Sequence, residues 1–198
     1  MSEKAYFIHC NISFVNLLRF SGKLTDMKHF LTILFCLLIF WTSCPTFGMT
    51  HTPSKYDYES LYIYNFTKYI YWPNSNGKIV IGVIGNSAAV YSLKNLAGKK
   101  NGENVYFEVK YFPSVAQISD CNILFVTSEA DDFLPTVKQR LTGKNTLLIT
   151  EETTQEKISP VNLIWNREHT RLDFTIDKAQ IEKIGLKVSA KLLQMAKN

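Results

Sequence analysis

The sequence is poor in the side chains from which metal and nucleophilic sites are usually built. Only four of its 198 residues are cysteine and four are histidine, and beyond residue 48 only Cys121, His51 and His169 remain. Metal sites need several convergent ligands, and the motifs HExxH, CxxC and GxSxG are all missing. We therefore expect no catalytic residue, no metal and no cofactor, and we interpret both histidines as surface residues.

A single cysteine also excludes an internal disulfide beyond residue 48. Cys121 lies in the apolar run "CNILFV", where a cysteine usually behaves as a small hydrophobic residue. The alternative is a reactive thiol, but no cation in the neighbouring sequence would lower its pKa. We interpret Cys121 as a core residue.

The sequence also lacks the patterns of nucleotide and nucleic-acid binding. The formal net charge is only +5, and the longest basic run beyond residue 48 is Lys99-Lys100. No basic stripe with interleaved aromatics is present, which disfavours nucleic acid as a partner. The turn "GVIGNS" (82–87) matches neither phosphate-binding glycine pattern. The adjacent acids 131–132 and 151–152 are interpreted as solvated, because a general acid or base would need burial beside a partner.

One long hydrophobic run is present, and it lies near the start of the chain. Met27-Lys28-His29 precedes the uncharged segment "FLTILFCLLIFW" (30–41), which is typical of a secretory signal peptide and too short to span a bilayer comfortably. The sequence therefore predicts a signal peptide over 27–48. Residues 1–26 are interpreted as an upstream extension or the artefact of an upstream start codon; a long n-region and an uncleaved anchor are the alternatives.

Two cleavage positions are compatible with this segment. Cleavage after Gly48 would follow the small residues of "TFG" and release a soluble periplasmic protein. The alternative is cleavage before Cys44, where "WTSC" resembles a lipobox with Trp41 in place of leucine, and a lipid on Cys44 would then anchor the protein to a membrane. Residues 49–54 are expected to form a flexible mature N-terminus ahead of a folded domain over 55–198.

The folded domain begins with a predicted helix over 54–71. Aromatic and other residues recur along it at spacings of three and four, so we expect them to share one buried face. They are Tyr58, Leu61, Tyr62, Asn65, Phe66 and Tyr69. Ser54 or Asp57 is the expected N-cap, and Glu59 is expected to complement the helix dipole. On a buried face the amide of Asn65 would have to bond backbone groups.

Strands and helices then alternate along the chain. The runs "KIVIGVIG", "NVYFEVKYF", "CNILFVT" and "NTLLIT" read as strands, with Gly98 and Gly143 ending the helices between them. "VNLIW" and "RLDFTID" predict an antiparallel hairpin, and a helix with a kink or break at Gly185 closes the chain. This order predicts a single α/β domain, with a mostly parallel mixed sheet, an antiparallel edge hairpin and flanking helices.

Four short motifs, in this order, resemble those of the YfiR family of bacterial periplasmic proteins. They are the helix "LYIYNFTKYIYWP", the strand "KIVIGVIG" ending in glycine, the strand "CNILFVT", and the closing "LDFTIDKAQIEKIGLKVSAKLLQMA". The resemblance covers about residues 55–197. Family-signature positions carried over to this sequence are interpreted as mostly structural: Tyr64, Asn65, Phe66, Lys68, Tyr69, Trp72, Pro73, Gly85, Cys121, Gly185, Leu186, Ser189, Lys191, Leu192 and Leu193.

The resemblance implies regulation of signalling at the cell envelope, not catalysis. Characterised members restrain a membrane-bound diguanylate cyclase from the periplasm and so lower cyclic-di-GMP and biofilm formation. The implied function is an exported, non-enzymatic protein that binds the periplasmic part of an inner-membrane signalling protein, such as a cyclase or a sensor kinase, and a homodimer is also compatible. Two alternatives stay open: an envelope module binding an apolar or cell-wall-derived ligand in an aromatic cleft near Trp72, and a small hydrolase using His169 or the acids. Since only Cys121 remains, the redox-sensing internal disulfide of some members is not expected.

Overall fold

The computed structural model describes residues 52–73, 75–101, 105–155, 157–168 and 171–197. The predicted signal peptide, the extension before it, Cys44 and both histidines discussed above lie outside the described residues. None of the helices in these ranges combines the length and the hydrophobicity of a transmembrane span.

The described chain opens with a helix whose first turn is capped by its own side chains. The Ser54 hydroxyl accepts from the Asp57 amide at 3.3 Å, and the Asp57 carboxylate accepts from the Ser54 amide at 2.7 Å, forming a capping box. Ser54 is therefore the N-cap, one of the two predicted. The α-helices are α1 (Lys55–Tyr69), α2 (Ser87–Lys100), α3 (Leu134–Arg140), α4 (Lys178–Lys183) and α5 (Ala190–Met195). Short 3₁₀ turns span Val115–Gln117 and Ser128–Phe133.

The strands of the described ranges form two sheets. They are β1 (Ile70–Tyr71), β2 (Lys78–Ile84), β3 (Tyr106–Tyr111), β4 (Ile123–Val126), β5 (Leu147–Glu151), β6 (Val161–Asn166), β7 (Arg171–Ile176) and β8 (Lys187–Val188). The main sheet has the order β3-β2-β4-β5-β6-β7, with all pairs parallel except the β6–β7 hairpin, and β1 pairs antiparallel with β8 in a second, two-stranded sheet. The predicted α/β fold with its antiparallel edge is confirmed.

The main sheet separates two hydrophobic cores. All four residues of β4 are buried, because helices cover both faces of a central parallel strand. Ile123 and Phe125 of β4 face the larger core, which includes Phe66 of α1, while Leu124 faces the smaller core beside Leu134 of α3. Alternating side chains of one strand thus hold α1 and α3 on opposite faces of the sheet.

The buried face of α1 differs from the predicted one. Tyr58 and Leu61 are 42% and 44% exposed, whereas Glu59, Ile63 and Phe66 are fully buried. The helix also ends at Tyr69, before the predicted end at residue 71, because the chain continues directly into β1. The predicted face is confirmed for Phe66 and wrong for Tyr58 and Leu61. Tyr62 and Tyr69 are half-buried and pack against the core. Aromatics occur on several sides of α1, so their spacing alone did not fix the buried side.

The glycines end only some of the predicted helices. Gly98 lies inside α2, which continues to Lys100; the side chain of Asn101 then accepts from the Phe107 amide at 2.6 Å and ties the helix end to β3. Gly185 does divide the closing segment into two helices. It has φ +79°, and the bonds from its amide to Glu182 and from the Leu186 amide to Ile181 form a Schellman motif.

The packing around Gly85, at the end of β2, can be tested by substitution, with Gly98 of α2 as the comparison. Gly85 has φ +104°, and an added Cβ would collide with the Thr127 side chain, so we expect Gly85→Ala to lower the free energy of unfolding by about 1–3 kcal/mol. Gly98 has no heavy atom within 4 Å of an added Cβ, so Gly98→Ala should raise it by about 0.5–1 kcal/mol. Urea denaturation of both variants measures the two changes in the free energy of unfolding, which should have opposite signs. Equal changes in the two variants would contradict this explanation.

Candidate functional site

Signature residues from the two ends of the domain meet at the small sheet. Ile70 of β1 lies opposite Val188 of β8, and the Ser189 amide donates to the Tyr69 carbonyl at 2.9 Å. The Lys191 ammonium lies 5.6 Å from the centroid of the Tyr69 ring. We call this contact, formed by residues 69–71 and 187–191, the terminal clasp. It fixes the end of α1 to the start of α5.

Trp72 follows the terminal clasp and is buried, with 4% of its surface exposed. Its indole N–H donates to the Asn122 carbonyl at 3.1 Å, and the Asn122 side chain accepts from the Val80 amide at 2.7 Å. Trp72 therefore attaches the chain to the region where β2 and β4 begin. The indole of Trp72 itself is thus enclosed by the protein's own groups, and the alternative of an aromatic-lined cleft near it stays a prediction.

The remaining aromatic signature residues join α1 to the strands. The Tyr64 ring packs edge-on against Phe107 of β3, with centroids 5.4 Å apart, and the Lys68 ammonium lies 4.4 Å from the Tyr64 centroid. Phe66 packs against Phe174 of β7 at 5.2 Å. These contacts span both outer parts of the main sheet.

Asn65 does not behave as its predicted position required. Its side chain is half-buried and makes no hydrogen bond with the described residues, so the expected bonds to backbone groups are wrong. The rotation of the buried face toward Ile63 explains this difference, because Asn65 then lies beside the buried stripe and not on it.

The other signature residues lie at separate places. Gly85 ends β2, while Gly185 lies against Asn145, whose amide nitrogen would be 2.6 Å from an added Cβ. In the closing segment, Leu186 and Leu192 are buried, Ser189 caps α5, and Leu193 is half-buried. Pro73 is exposed next to Trp72. The signature residues therefore do not converge on a single pocket.

Cys121 is a buried free thiol with 9% of its surface exposed. Burial raises the pKa of the thiol to about 11, and the hydrogen bond with the Gly82 backbone opposes that rise. The neutral thiol therefore predominates near pH 7, which disfavours the reactive-thiol alternative.

The turn after β2 is closed by the protein's own groups. The Asn86 amide donates to the Thr127 hydroxyl at 2.8 Å, and the Asn86 side chain caps α2 by accepting from the Ala88 amide at 2.8 Å. The same side chain donates to Glu129 at 2.5 Å. This is the edge where open α/β sheets usually bind ligands, but here the turn's polar groups bond one another.

Next to this edge, a buried carboxylate ends β5. Glu151 is 1% exposed; it accepts from the Ser128 amide at 3.0 Å and forms an ion pair with Lys55 in the first turn of α1. Glu152 lies 3.5 Å from the same ammonium. The prediction that residues 151 and 152 are both solvated is wrong for Glu151. An ion pair at this depth is needed because an isolated buried charge is very unfavourable.

Glu59 is a second buried carboxyl group beside the first. It is 1% exposed, and neither of its oxygens has a hydrogen-bond partner in the described part of the chain. Burial, reinforced by the charge of Glu151, raises the pKa of Glu59 to about 8, although Lys55 opposes the rise. Glu59 is therefore largely protonated at pH 7. Burial and the charge of Glu151 also raise the pKa of Tyr56 to about 12.

The sequence contained a signal for Glu59 that the predicted face overlooked. Glu59, Ile63, Phe66 and Ile70 recur at helical spacing, and all four are buried. Including the glutamate in a hydrophobic stripe would have identified it as a buried titratable group instead of a dipole-complementing surface charge. Across the described ranges, no three His, Cys, Asp or Glu side chains are placed to hold a metal ion, so we assign this pair of carboxyl groups no metal.

Protonation of Glu59 should make stability depend on pH. With a folded pKa of about 8 against an ordinary value of 4.5, the folded state holds the extra proton, and the free energy of unfolding should fall as pH rises from 4.5 to 8, by up to about 1.4 kcal/mol per pH unit. Glu59→Gln should remove this part of the pH dependence of the free energy of unfolding. Urea denaturation of both proteins at several pH values measures that dependence.

The control for this experiment is Glu182→Gln. Glu182 has 55% of its side chain exposed on α4, so its replacement should leave the pH slope unchanged. Equal slopes in the parent protein and Glu59→Gln would show that Glu59 ionises in the folded state as it does in water.

The comparison with known proteins agrees with the signature residues. Among curated proteins, none matches this chain at a significant level. The family model described as YfiR/HmsC-like matches residues 56–197, from the first turn of α1 to the residue before the last. This match covers the terminal clasp and every strand of both sheets, so the chain belongs to the YfiR/HmsC-like family.

Proposed function

We propose that this protein is an exported regulator that binds the periplasmic part of an inner-membrane signalling protein. The observation that supports this proposal is the family match over residues 56–197, since the family suggests regulators of diguanylate cyclase signalling. Export would use the segment 27–48, with a soluble product after Gly48 favoured over a lipid anchor at Cys44.

Regulation by binding requires that the protein favour one state of its partner. A partner with two conformations shifts only by the difference between its two affinities for the regulator. A folded domain with a firmly held surface suits this role, because binding then costs little ordering of the regulator. The terminal clasp and the buried Trp72 hold α1 in this way.

We propose that the partner contacts an apolar patch on α1 and the hairpin. The patch consists of Tyr58, Leu61 and Trp165; the Tyr58 and Trp165 rings are 5.7 Å apart, and Tyr58 and Leu61 are the exposed pair that the sequence placed in the core. Tryptophan and tyrosine contribute strongly to protein interfaces. The patch lies on elements that the sheet holds in place, so its geometry does not depend on a loop.

Deletion of the gene tests the regulatory role. If the partner is a diguanylate cyclase that this protein restrains, deletion should raise cellular cyclic-di-GMP, and expression of the protein should restore the lower level. If it is a sensor kinase, the output of that kinase should change instead. Unchanged cyclic-di-GMP and unchanged sensor output would overturn the regulatory proposal.

Photo-crosslinking in intact cells tests the surface separately. A crosslinkable residue at position 61 should capture an inner-membrane protein, because Leu61 lies within the patch. The matched control is position 91 on α2, where Tyr91 is a more exposed aromatic, at 67%, outside the patch. A crosslink at position 91 alone would overturn the proposed surface while retaining a partner, and no crosslink at either position would count against both.

A further inference from the structure

A cavity of about 560 Å³ opens at the end of the main sheet opposite to Glu151. Its wall includes Thr146 and Leu148 at the start of β5, Leu141 just after α3, and Ile184 and Gly185 just after α4. The volume lies within the range of small-molecule sites, about 300–1,000 Å³. Signature residue Gly185 contributes to this wall, whereas the terminal clasp and Trp72 do not line it.

Among the described residues, the charged side chains that line the cavity are all cationic. They are Lys138, Lys144 and Lys183, and no described Asp or Glu lines it. Lys144 pairs with Asp120 at 2.9 Å, and Lys138 donates to the Lys157 carbonyl at 2.9 Å. Within the described residues, Lys183 has no carboxylate within 4.0 Å. Of the described carboxylates, only that of Asp120 pairs with a lysine of this rim, so the rim keeps positive charge.

The inner wall is apolar and is bordered by a small number of polar groups. Leu141, Leu148 and Pro160 are buried residues of this wall, and Ile158 and Ile184 are half-buried. The amide of Asn145 is fixed by its bond to the Ile184 carbonyl at 2.7 Å. An apolar wall with positive charge at its rim matches a ligand with an apolar body and one anionic group.

We propose that this cavity binds a small organic carboxylate, with the apolar body against Leu141 and Leu148 and the carboxylate near Lys183 and Lys138. This goes beyond the regulatory role, and binding here does not depend on any protein partner. Gly185 has to remain a glycine in this arrangement, because a Cβ would approach the Asn145 amide nitrogen to 2.6 Å and the residue has φ +79°. That close approach brings the turn after α4 against the loop before β5, and it forms one side of the cavity.

The lysines also have a simpler role with which the proposal must compete. Lys138 lies in the last turn of α3 and Lys183 in the last turn of α4, where cations complement the helix dipole without any ligand. That role predicts no preference for a carboxylate over an uncharged molecule of the same shape. Decanoate and decanol have the same chain length and differ in the charge of the head group. A comparison of their binding therefore separates the two explanations.

Titration of the mature protein with decanoate, followed by backbone amide NMR, tests the site. We expect saturable shifts at Asn145, Leu148 and Gly185, and decanol should bind about tenfold or more weakly, equivalent to about 1.4 kcal/mol. Lys183→Glu should weaken decanoate binding by a similar factor. Lys178→Glu is the matched control, because Lys178 lies on the same helix but does not line the cavity.

Three results of this titration would overturn the proposal. Equal binding of decanoate and decanol would show that the rim does not recognise the carboxylate, and shifts away from the cavity would place the ligand elsewhere. No saturable shift would leave the lysines as helix-end charges only. Should Lys183→Glu fail to fold, Lys138→Ala provides the same comparison. None of these results bears on the partner crosslink, so failure of the cavity and failure of the regulatory role are distinguishable.

Discussion

The carboxylate of Glu151 imposes the constraint on which the placement of α1 depends. It is buried at the end of a central strand, and a charge in that position must be compensated by an opposite charge and by hydrogen bonds. Lys55 and the Ser128 amide provide both. Because Lys55 belongs to the first turn of α1, this requirement brings the start of the helix to the end of β5, while the terminal clasp holds the other end. Glu59 is buried between these two attachments.

Much of the fold could be predicted because its signals are local. Short patterns of hydrophobic residues and glycine predict several elements. These are the apolar strands β4 and β5, the hairpin of β6 and β7, and the break at Gly185. The pairing of β1 with β8 could not be predicted in this way, since each strand has only two residues and their partners are distant in sequence. The predicted helix end at Gly98 was wrong because a helix tolerates one glycine when its end is fixed elsewhere. Here the end is fixed by Asn101.

The candidate site was less predictable than the fold. Tertiary contacts decided the face of α1, and a helix with aromatics on several sides leaves its own sequence ambiguous. Glu59 and Glu151 were read as surface charges because sequence statistics favour exposure of glutamate. Their burial depends on a lysine and on a strand end that meet only in the folded chain. Trp72 shows the same effect, since its indole is committed to the Asn122 carbonyl and is withdrawn from the surface.

The signature residues and the exposed groups have different roles in this molecule. Tyr64, Phe66, Trp72 and Leu192 make internal contacts that preserve the domain, so their presence identifies the family without identifying a ligand. The patch on α1 contains none of the signature residues, and Gly185 is the one signature residue in the described wall of the cationic cavity. Two members with the same signature can therefore differ in partner or ligand while retaining one fold.

The pairing of Ile70 with Val188 also affects how the chain reaches its folded state. Loop closure becomes more costly as the joined residues become more distant, and this pair joins the first helix of the domain to its last segment. The C-terminal end of α1 therefore lacks its pairing with β8 until that segment is available. During synthesis, the domain would remain exposed to proteases and to aggregation until residues 187–191 emerge.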